Sequence, residues 1–506
     1  MHTTVRILAL ALPLACYPGI GKCEVRLPDI LSSHMVLQRE RPIHIWGWSA
    51  PGEQVSVAFN EVTRGTSGDG LGNWSVFLPP AAAGGPYQLT VTSSNKIVLD
   101  DVLIGDVWFA SGQSNMEMPL KGFPGAPLKD SAAEIAHAGQ PQLRLLHIPI
   151  KAADFPIRNT DASWSVCSPE TAASFSAVAY FFGRDLAARE HVPIGLIDST
   201  WGGTVAEAWV SLQSISADAA LMPVFATRAH MMQTQDEMAA ILAKEKREDE
   251  AARQAGQAPP HHAWHPNPAS WAPAALFNGM VAPAVNYTIK GVIWYQGESN
   301  SRPGFAPMYA RIFPALIADW RAQWHKGDFP FLFVQISSFT SDATEAWAVI
   351  REAQRRSLSV ANTAMAVTID IGDPNNVHPA DKQTVGARLA LAARALAYGE
   401  NVEYSGPLFR QATPEGDAMR IWFDHAANRL VAKGSALQGF EIAGDDCRFV
   451  SATARIDGKT VVVGSAGVAE PKYVRYGWAN APVVNLFNSE GLPASPFTSE
   501  DAIPVR

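Results

Sequence analysis

The amino-acid sequence predicts an α/β protein: a five-stranded parallel sheet covered by helices, with β-sandwich modules on its N- and C-terminal sides. Three observations predict it. Five short, continuously apolar runs recur between residues 107 and 369, with helical stretches between them. Continuous apolar strands alternating with helices indicate a parallel sheet buried on both faces. Apolar–polar alternation fills the residues before about 100 and returns after about 405, the mark of half-buried β-strands. The 506 residues are 47% hydrophobic and 17% charged, which excludes a disordered chain and suits about three domains. The net charge is −8 and no long basic block appears. Nucleic acid and anionic membrane are therefore not expected partners.

The elements follow in order. Residues 1–23 read as a signal peptide. Arg6 precedes the nine-residue apolar run from Ile7 to Ala15, too short to span a bilayer as a helix. A secreted or periplasmic protein is expected. No CxxC spacing occurs among Cys16, Cys23, Cys167 and Cys447, so no structural zinc site is expected. Residues 24–100 form the N-terminal module, with strands such as His44–Trp48, Val55–Phe59 and Tyr87–Thr92 between Gly- and Pro-rich turns. Residues 101–404 carry the parallel sheet. Its runs are 107–110, 194–197, 291–295, 331–334 and 365–369, and five of them suggest a flavodoxin-like, doubly wound order. A helical insertion at about 216–272 interrupts it. The charged stretch Ala239–Arg253 there leads into a Pro-rich return holding His261, His262, Trp264 and His265. Residues 405–506 form a second β region.

Ligands of doubly wound sheets bind beyond the carboxyl ends of the strands, so the candidate residues are sought there. Ser114 follows a glycine turn directly after the first run, a position that projects a hydroxyll into the crevice as an acyl-transfer nucleophile requires. Position 116 is Met, so the Gly-x-Ser-x-Gly elbow is not matched. The second run ends in Trp201-Gly202-Gly203, whose glycines let backbone N–H groups approach an oxyanion. The third ends in Gln296-Gly297-Glu298-Ser299-Asn300. Gln296 can donate its amide to an oxyanion, while Glu298 and Asn300 can bind substrate hydroxyls or brace the loop. The last run leads to His378, a candidate general base. Asp373 or Asp370 can orient its imidazole. A neutral imidazole is required, so activity is expected to fall below about pH 6–7.

Several blocks together resemble the sialate O-acetylesterase family of the SGNH/GDSL hydrolase superfamily. They are Gly112-Gln113-Ser114-Asn115-Met116, Trp201-Gly202-Gly203-Thr204, Trp294–Asn300 and His378-Pro379. Flanking segments match too: Met35–Arg39, Trp46-Gly47-Trp48, Leu196–Trp201, Arg351-Glu352-Ala353-Gln354, Lys382–Leu389 and Asn485–Pro493. The resemblance spans about residues 25 to 500. It implies an SGNH-type esterase domain over 101–404, β-sandwich, jelly-roll-like modules beside it, and a carbohydrate O-acetylesterase needing no metal or cofactor. Ser114 would be the nucleophile and His378 the base. The N–H of Ser114, the Gly202–Gly203 turn and Gln296 would form the oxyanion hole. Gln113, Asn115, Trp201, Glu298 and Asn300 are the substrate-binding candidates. This sequence departs from the family where an acid is usual before the histidine, carrying Asn375 and Asn376. Asp373 is the favoured acid, Asp370 the alternative, and a Ser–His dyad the third possibility.

The expected partner is an acetylated carbohydrate, with a plant cell-wall glycan such as xyloglucan or xylan preferred to O-acetylated sialic acid. Trp46, Trp48, Trp201, Trp209 and Trp264 can stack on sugars. Three other readings compete: a glycosidase using Glu298 and Asp370, a non-catalytic carbohydrate-binding protein, and a metal site at His261, His262 and His265.

Overall fold

The computed structural model describes residues 24–503, except 227, 228, 230–234, 261, 263, 264, 266 and 435. The expected signal peptide, Cys16, Cys23, His261 and Trp264 lie outside the described residues. The N-terminal region holds β1 (Val36–Gln38), β2 (Ile43–Trp48), β3 (Gln54–Phe59), β4 (Val62–Ser67), β5 (Asn73–Leu78) and β6 (Gly84–Thr92). β2 pairs with β5, and β3 with β4 and β6, all antiparallel. The 17-residue β7 (Lys96–Gly112) follows. Its first half pairs with β6 and β1, and its second half enters the central sheet. The 100/101 division expected from composition therefore falls inside a strand.

The central sheet continues with β8 (Gln140–His147), β9 (Trp164–Cys167), β10 (Ile194–Thr200), β11 (Gly291–Tyr295), β12 (Phe331–Val334) and β13 (Thr363–Ala366). Its order is β13-β12-β11-β7-β10-β8-β9. All neighbours are parallel except β8 and β9. The five strands expected from the apolar runs are present, but the parallel set numbers six, with β8 outside β10. β8 escapes an apolar-run reading because it contains Pro141 and Arg144. That arginine is buried, its guanidinium gripping the Asp101 carboxylate at 2.6 and 3.1 Å and donating to the Pro141 carbonyl at 3.0 Å.

Helices cover both faces of this sheet. Consecutive strand residues point to opposite sides. Trp108 meets Phe182 of α2 (Ala177–Glu190), while Phe109 meets Trp320 and Trp324 of α4 (Ala306–Trp324). α6 (Lys382–Leu396) packs beside α2, and α5 (Trp347–Arg356) beside α4. The short α1 (Ser114–Glu117) follows β7 directly. In the insertion, α3 (Gln235–Gln254) is largely exposed and laced with i,i+4 pairs such as Lys244–Glu248, each a weak contribution. Among the described residues, no helix is long and apolar enough to cross a membrane.

Beyond residue 405, two four-stranded antiparallel sheets and one strand pair share a core that includes Ile421, Phe440, Val461, Tyr476 and Phe497. The molecule is thus a mixed α/β fold with additional β-sheet modules. Cys167 is buried, Cys447 is exposed, and both are free thiols.

Candidate active site

The site forms where β7, β10 and β11 end. At Gly112, φ is +138°, and an added Cβ would lie 2.1 Å from the Tyr295 carbonyl oxygen. Only glycine permits this conformation and this closeness to β11. The chain then turns into Gln113 and Ser114. The Gln113 side-chain oxygen accepts the N–H groups of Gly297 (3.4 Å) and Ser299 (3.2 Å). It thereby braces the nucleophile turn against the β11 loop.

Ser114 lines a cavity of about 530 Å³ with Gln113, Glu117, Trp201, Gly202, Gly203, Glu298 and His378. That size suits a small ligand. Phe123, Phe339 and Trp347 add aromatic wall, and Arg302 and Glu345 add charge. His378 is half-buried, with the edge-on ring of Phe123 at 5.3 Å. Its backbone N–H donates to Asn376 Oδ1 at 2.9 Å. Burial and the nearby Lys382 cation push the imidazole down to about 4.

Neither expected acid reaches that imidazole. Asp373 is exposed, and its carboxylate caps its own turn by accepting the Asn375 N–H at 2.8 Å. Asp370 is held at both oxygens by Arg388, at 2.7 and 2.8 Å. Among the described residues, no carboxylate hydrogen-bonds His378. The Glu298–Asp370 pair is also not assembled, since only Glu298 lines the cavity.

The glycine pair stands against Ser114. A Cβ on Gly202 would lie 3.2 Å from Ser114 Cβ and 2.6 Å from Glu117 Oε2. Glu117 faces the Gly202 N–H, and burial raises its carboxyl to about 6. Glu117 can move aside, whereas Ser114 Cβ is fixed by its backbone. Gly202→Ala is therefore expected to lower kcat/KM tenfold or more, read by steady-state ester hydrolysis, with the fold retained.

Gln296 sits elsewhere than expected. Its amide hydrogens go to the Thr204 carbonyl (3.1 Å) and Asn300 Oδ1 (2.6 Å), and it is fully buried behind the cavity. An oxyanion donor at Gln296 is thereby corrected to a loop brace. Asn300 is a brace as well. It accepts the Ala206 N–H and donates to Glu207 Oε2, both at 2.9 Å. Asn115, also expected at the substrate, is buried in a network with Glu298 and Lys382. Trp201 does face the cavity. Trp209 is core, packed edge-on to Trp294, and Trp46 and Trp48 line a different groove. In the insertion, His262 and His265 bond Asp249 and Glu245 of α3, each at 2.9 Å. Among the described residues, no set of three or more His, Cys, Asp or Glu is placed to hold a metal ion. The insertion reaches the site through Trp271, whose indole N–H donates to the Gly203 carbonyl at 2.6 Å.

Sequence reasoning did not single out Glu117, Phe123, Arg302, Glu345, Trp347 or Lys382. Glu117 was accessible in principle, standing one helical turn after Ser114. The others come from loops and helix starts whose proximity only the fold creates.

A hydroxyl at a strand-end turn that shares a cleft with a neutral imidazole can run acyl transfer from an ester, and the molecule is a carboxylic-ester hydrolase. Comparison with known proteins specifies the class. The family model described as "carbohydrate esterase, sialic acid-specific acetylesterase" matches residues 262–395. The sialate O-acetylesterase of Rattus norvegicus is 31% identical, covering 95% of each chain. That of Homo sapiens is 33% identical, covering 79% of this chain and 77% of its own. The crystal structure of a carbohydrate acetylesterase from Xanthomonas citri is 37% identical, with a TM-score of 0.81 over 94% of this chain and 100% of that one. This chain belongs to the sialate O-acetylesterase family.

Proposed function

We propose that the protein removes acetyl groups from the hydroxyls of a neutral glycan, such as xyloglucan or xylan, through an acyl-enzyme on Ser114. The observation that carries this reading is one cavity lined by Ser114, His378 and the Gly202–Gly203 turn. The parallel order β10-β7-β11-β12-β13 supports an SGNH-type core. The names of the relatives support acetyl-ester chemistry on a sugar.

In this mechanism His378 takes the Ser114 proton as Oγ attacks the acetyl carbonyl. The N–H groups of Ser114 and of the glycine turn, once Glu117 moves off the Gly202 N–H, receive the oxyanion, each such donor typically giving about 3–4 kcal/mol in the transition state. His378 then protonates the departing sugar oxygen. Water activated by the same imidazole releases acetate. With no carboxylate on the imidazole, Ser114 and His378 work as a dyad.

A neutral sugar is preferred on charge grounds. The walls carry Glu117, Glu298 and Glu345 against Arg302, and Arg302 lies 4.0 Å from Glu345 and over the Trp271 ring. A sugar carboxylate would face three acidic side chains and one arginine, whereas Trp201, Phe123, Phe339 and Trp347 offer apolar faces to a neutral ring. The second reading, O-acetylated sialic acid, is favoured by the relatives' names and by Arg302 as a carboxylate partner. Acetate release from acetylated xyloglucan, acetylated xylan and O-acetylated sialic acid separates the two. Preference for the sialic acid would overturn the neutral-glycan reading, and no release from any of them would overturn the esterase reading. We also propose export to the periplasm or medium, on the basic start and apolar run of residues 1–23.

The pH profile follows from the site. The base must be neutral, and its imidazole is pushed down to about 4. Activity gained by deprotonation should therefore rise through about pH 4 and be complete well below pH 6, not at pH 6–7 as the unperturbed value suggests. The acid limb of kcat/KM measures this directly, and a limb near 6.5 would contradict it.

A further inference from the structure

Behind the cavity lies a charged network that the mechanism above leaves unused. The Asn115 carboxamide is its hub. Its Nδ2 donates to Glu298 Oε1 at 2.6 Å and to the Val377 carbonyl at 2.9 Å, and its Oδ1 accepts from Lys382 Nζ. Asn115 and Lys382 are fully buried and Glu298 nearly so. The second Glu298 oxygen is buried with no hydrogen-bond partner among the described residues.

Nothing in folding recommends a lysine at this position. Lys382 is the first residue of α6, where the helix dipole disfavours a cation. Burial penalises it further. Its compensations are the Asn115 oxygen, the Tyr295 ring 5.5 Å from Nζ, and the charges of Glu298 and Asp381. A costly buried cation at a reacting site is a functional signal.

The placement says which function. Asn115 is the residue after Ser114, and Val377 is the residue before His378. One carboxamide thus ties the nucleophile turn to the base loop, and Lys382 fixes which way that carboxamide points. We propose that Lys382, acting through Asn115, is a positioning residue: it holds His378 in register with Ser114, in the role a triad carboxylate fills elsewhere. This rests on Ser114 and His378 being the reacting pair.

Two consequences separate positioning from mere support. The charge acting on His378 is that of Lys382 from α6; Glu298 from the β11 loop, Glu117 from α1, Arg302 and Glu345 line the same cavity. Removing Lys382 removes the cation that disfavours the imidazolium, so the acid limb must move to higher pH. Loss of register must also appear in kcat and not in KM.

The test is the pH dependence of 4-nitrophenyl acetate hydrolysis by the full chain and its variants. Lys382→Met is expected to lower kcat about 100-fold, leave KM within about twofold, and shift the acid limb upward. Unchanged kcat, or a fall in kcat with the acid limb in place, would overturn the proposal. Should Lys382→Met fail to fold, Asn115→Asp decides. It keeps the shape and offers Lys382 an oxygen, but an ionised carboxylate donates neither to Val377 nor to Glu298. A kcat loss of about 100-fold in the folded protein is expected, and full kcat would overturn the proposal. Ser114→Ala runs alongside. Hydrolysis that survives it would sink the underlying esterase assignment, a different failure from an inert Lys382.

Discussion

Ser114→Ala is expected to cut acetate release by about 10⁴-fold or more without a measurable change in melting temperature. Two arguments set the size. In the proposed mechanism the hydroxyl oxygen is the atom that bonds to the acetyl carbon, so its removal takes away the covalent route and not one contribution to it. What remains is oxyanion stabilisation and proximity, which support only slow attack by water. Stability should hold because Ser114 is partly exposed, and its hydroxyl makes no hydrogen bond among the described residues. The small change in volume falls on the cavity. Single-turnover acetate release and a thermal melt on the same preparation check both halves. Loss of activity together with a lowered melting temperature would mean that Ser114 holds the turn and not the acyl group.

Arg351→Leu is expected to destabilise the fold by about 3–5 kcal/mol. Arg351 is fully buried, and its guanidinium donates to four backbone carbonyls, those of Ile336 (3.0 Å), Ser337 (2.8 Å), Ala479 (2.7 Å) and Asn480 (2.6 Å). Among the described residues no carboxylate pairs with it, and burial lowers its pKa to about 9. Replacing a buried ion pair with hydrocarbon can be neutral, because both charges leave together. Here only the donor leaves, and four carbonyls stay behind without their partner. That asymmetry decides the sign. The same carbonyls belong to the loop after β12 and to the 479–480 turn of the C-terminal region. The substitution therefore loosens the loop that carries Phe339 into the cleft. Urea unfolding measures the stability, and an unchanged midpoint would show that water replaces the guanidinium at no net cost.

What was legible in the sequence follows physical lines. The continuously apolar strands could be read because burial on both faces leaves no room for polar alternation. β8 could not, since Arg144 is made tolerable by Asp101, a residue 43 positions away in sequence. Ser114, His378 and the glycine pair were accessible because strand ends are where such sheets expose chemistry. Gln296 and Asn300 were read for their functional groups, but which way an amide points is set by its neighbours: Thr204 and Asn300 take the Gln296 amide hydrogens, and Ala206 and Glu207 engage Asn300. Asp373 lies five residues before His378, close enough in sequence to suggest a partner. The intervening loop turns it toward Asn375 instead. Lys382 gave no signal beyond its place in a matching block, because its meaning arises only when the β11 loop, the loop before His378 and the start of α6 converge on Asn115.

The long strand β7 has a consequence for how this molecule can be divided. The residue that carries Ser114 into the cleft is the terminus of a single rod, and the other end of that rod is woven into the N-terminal sheet. A cut at the compositional border would sever the rod and leave the catalytic turn on half a strand. Recombining modules between relatives would therefore have to exchange β1 to β7 together with α1 as one indivisible block. Strain applied to the N-terminal sheet reaches the serine along one continuous strand, past a single kink at Asp101, where φ is +55°.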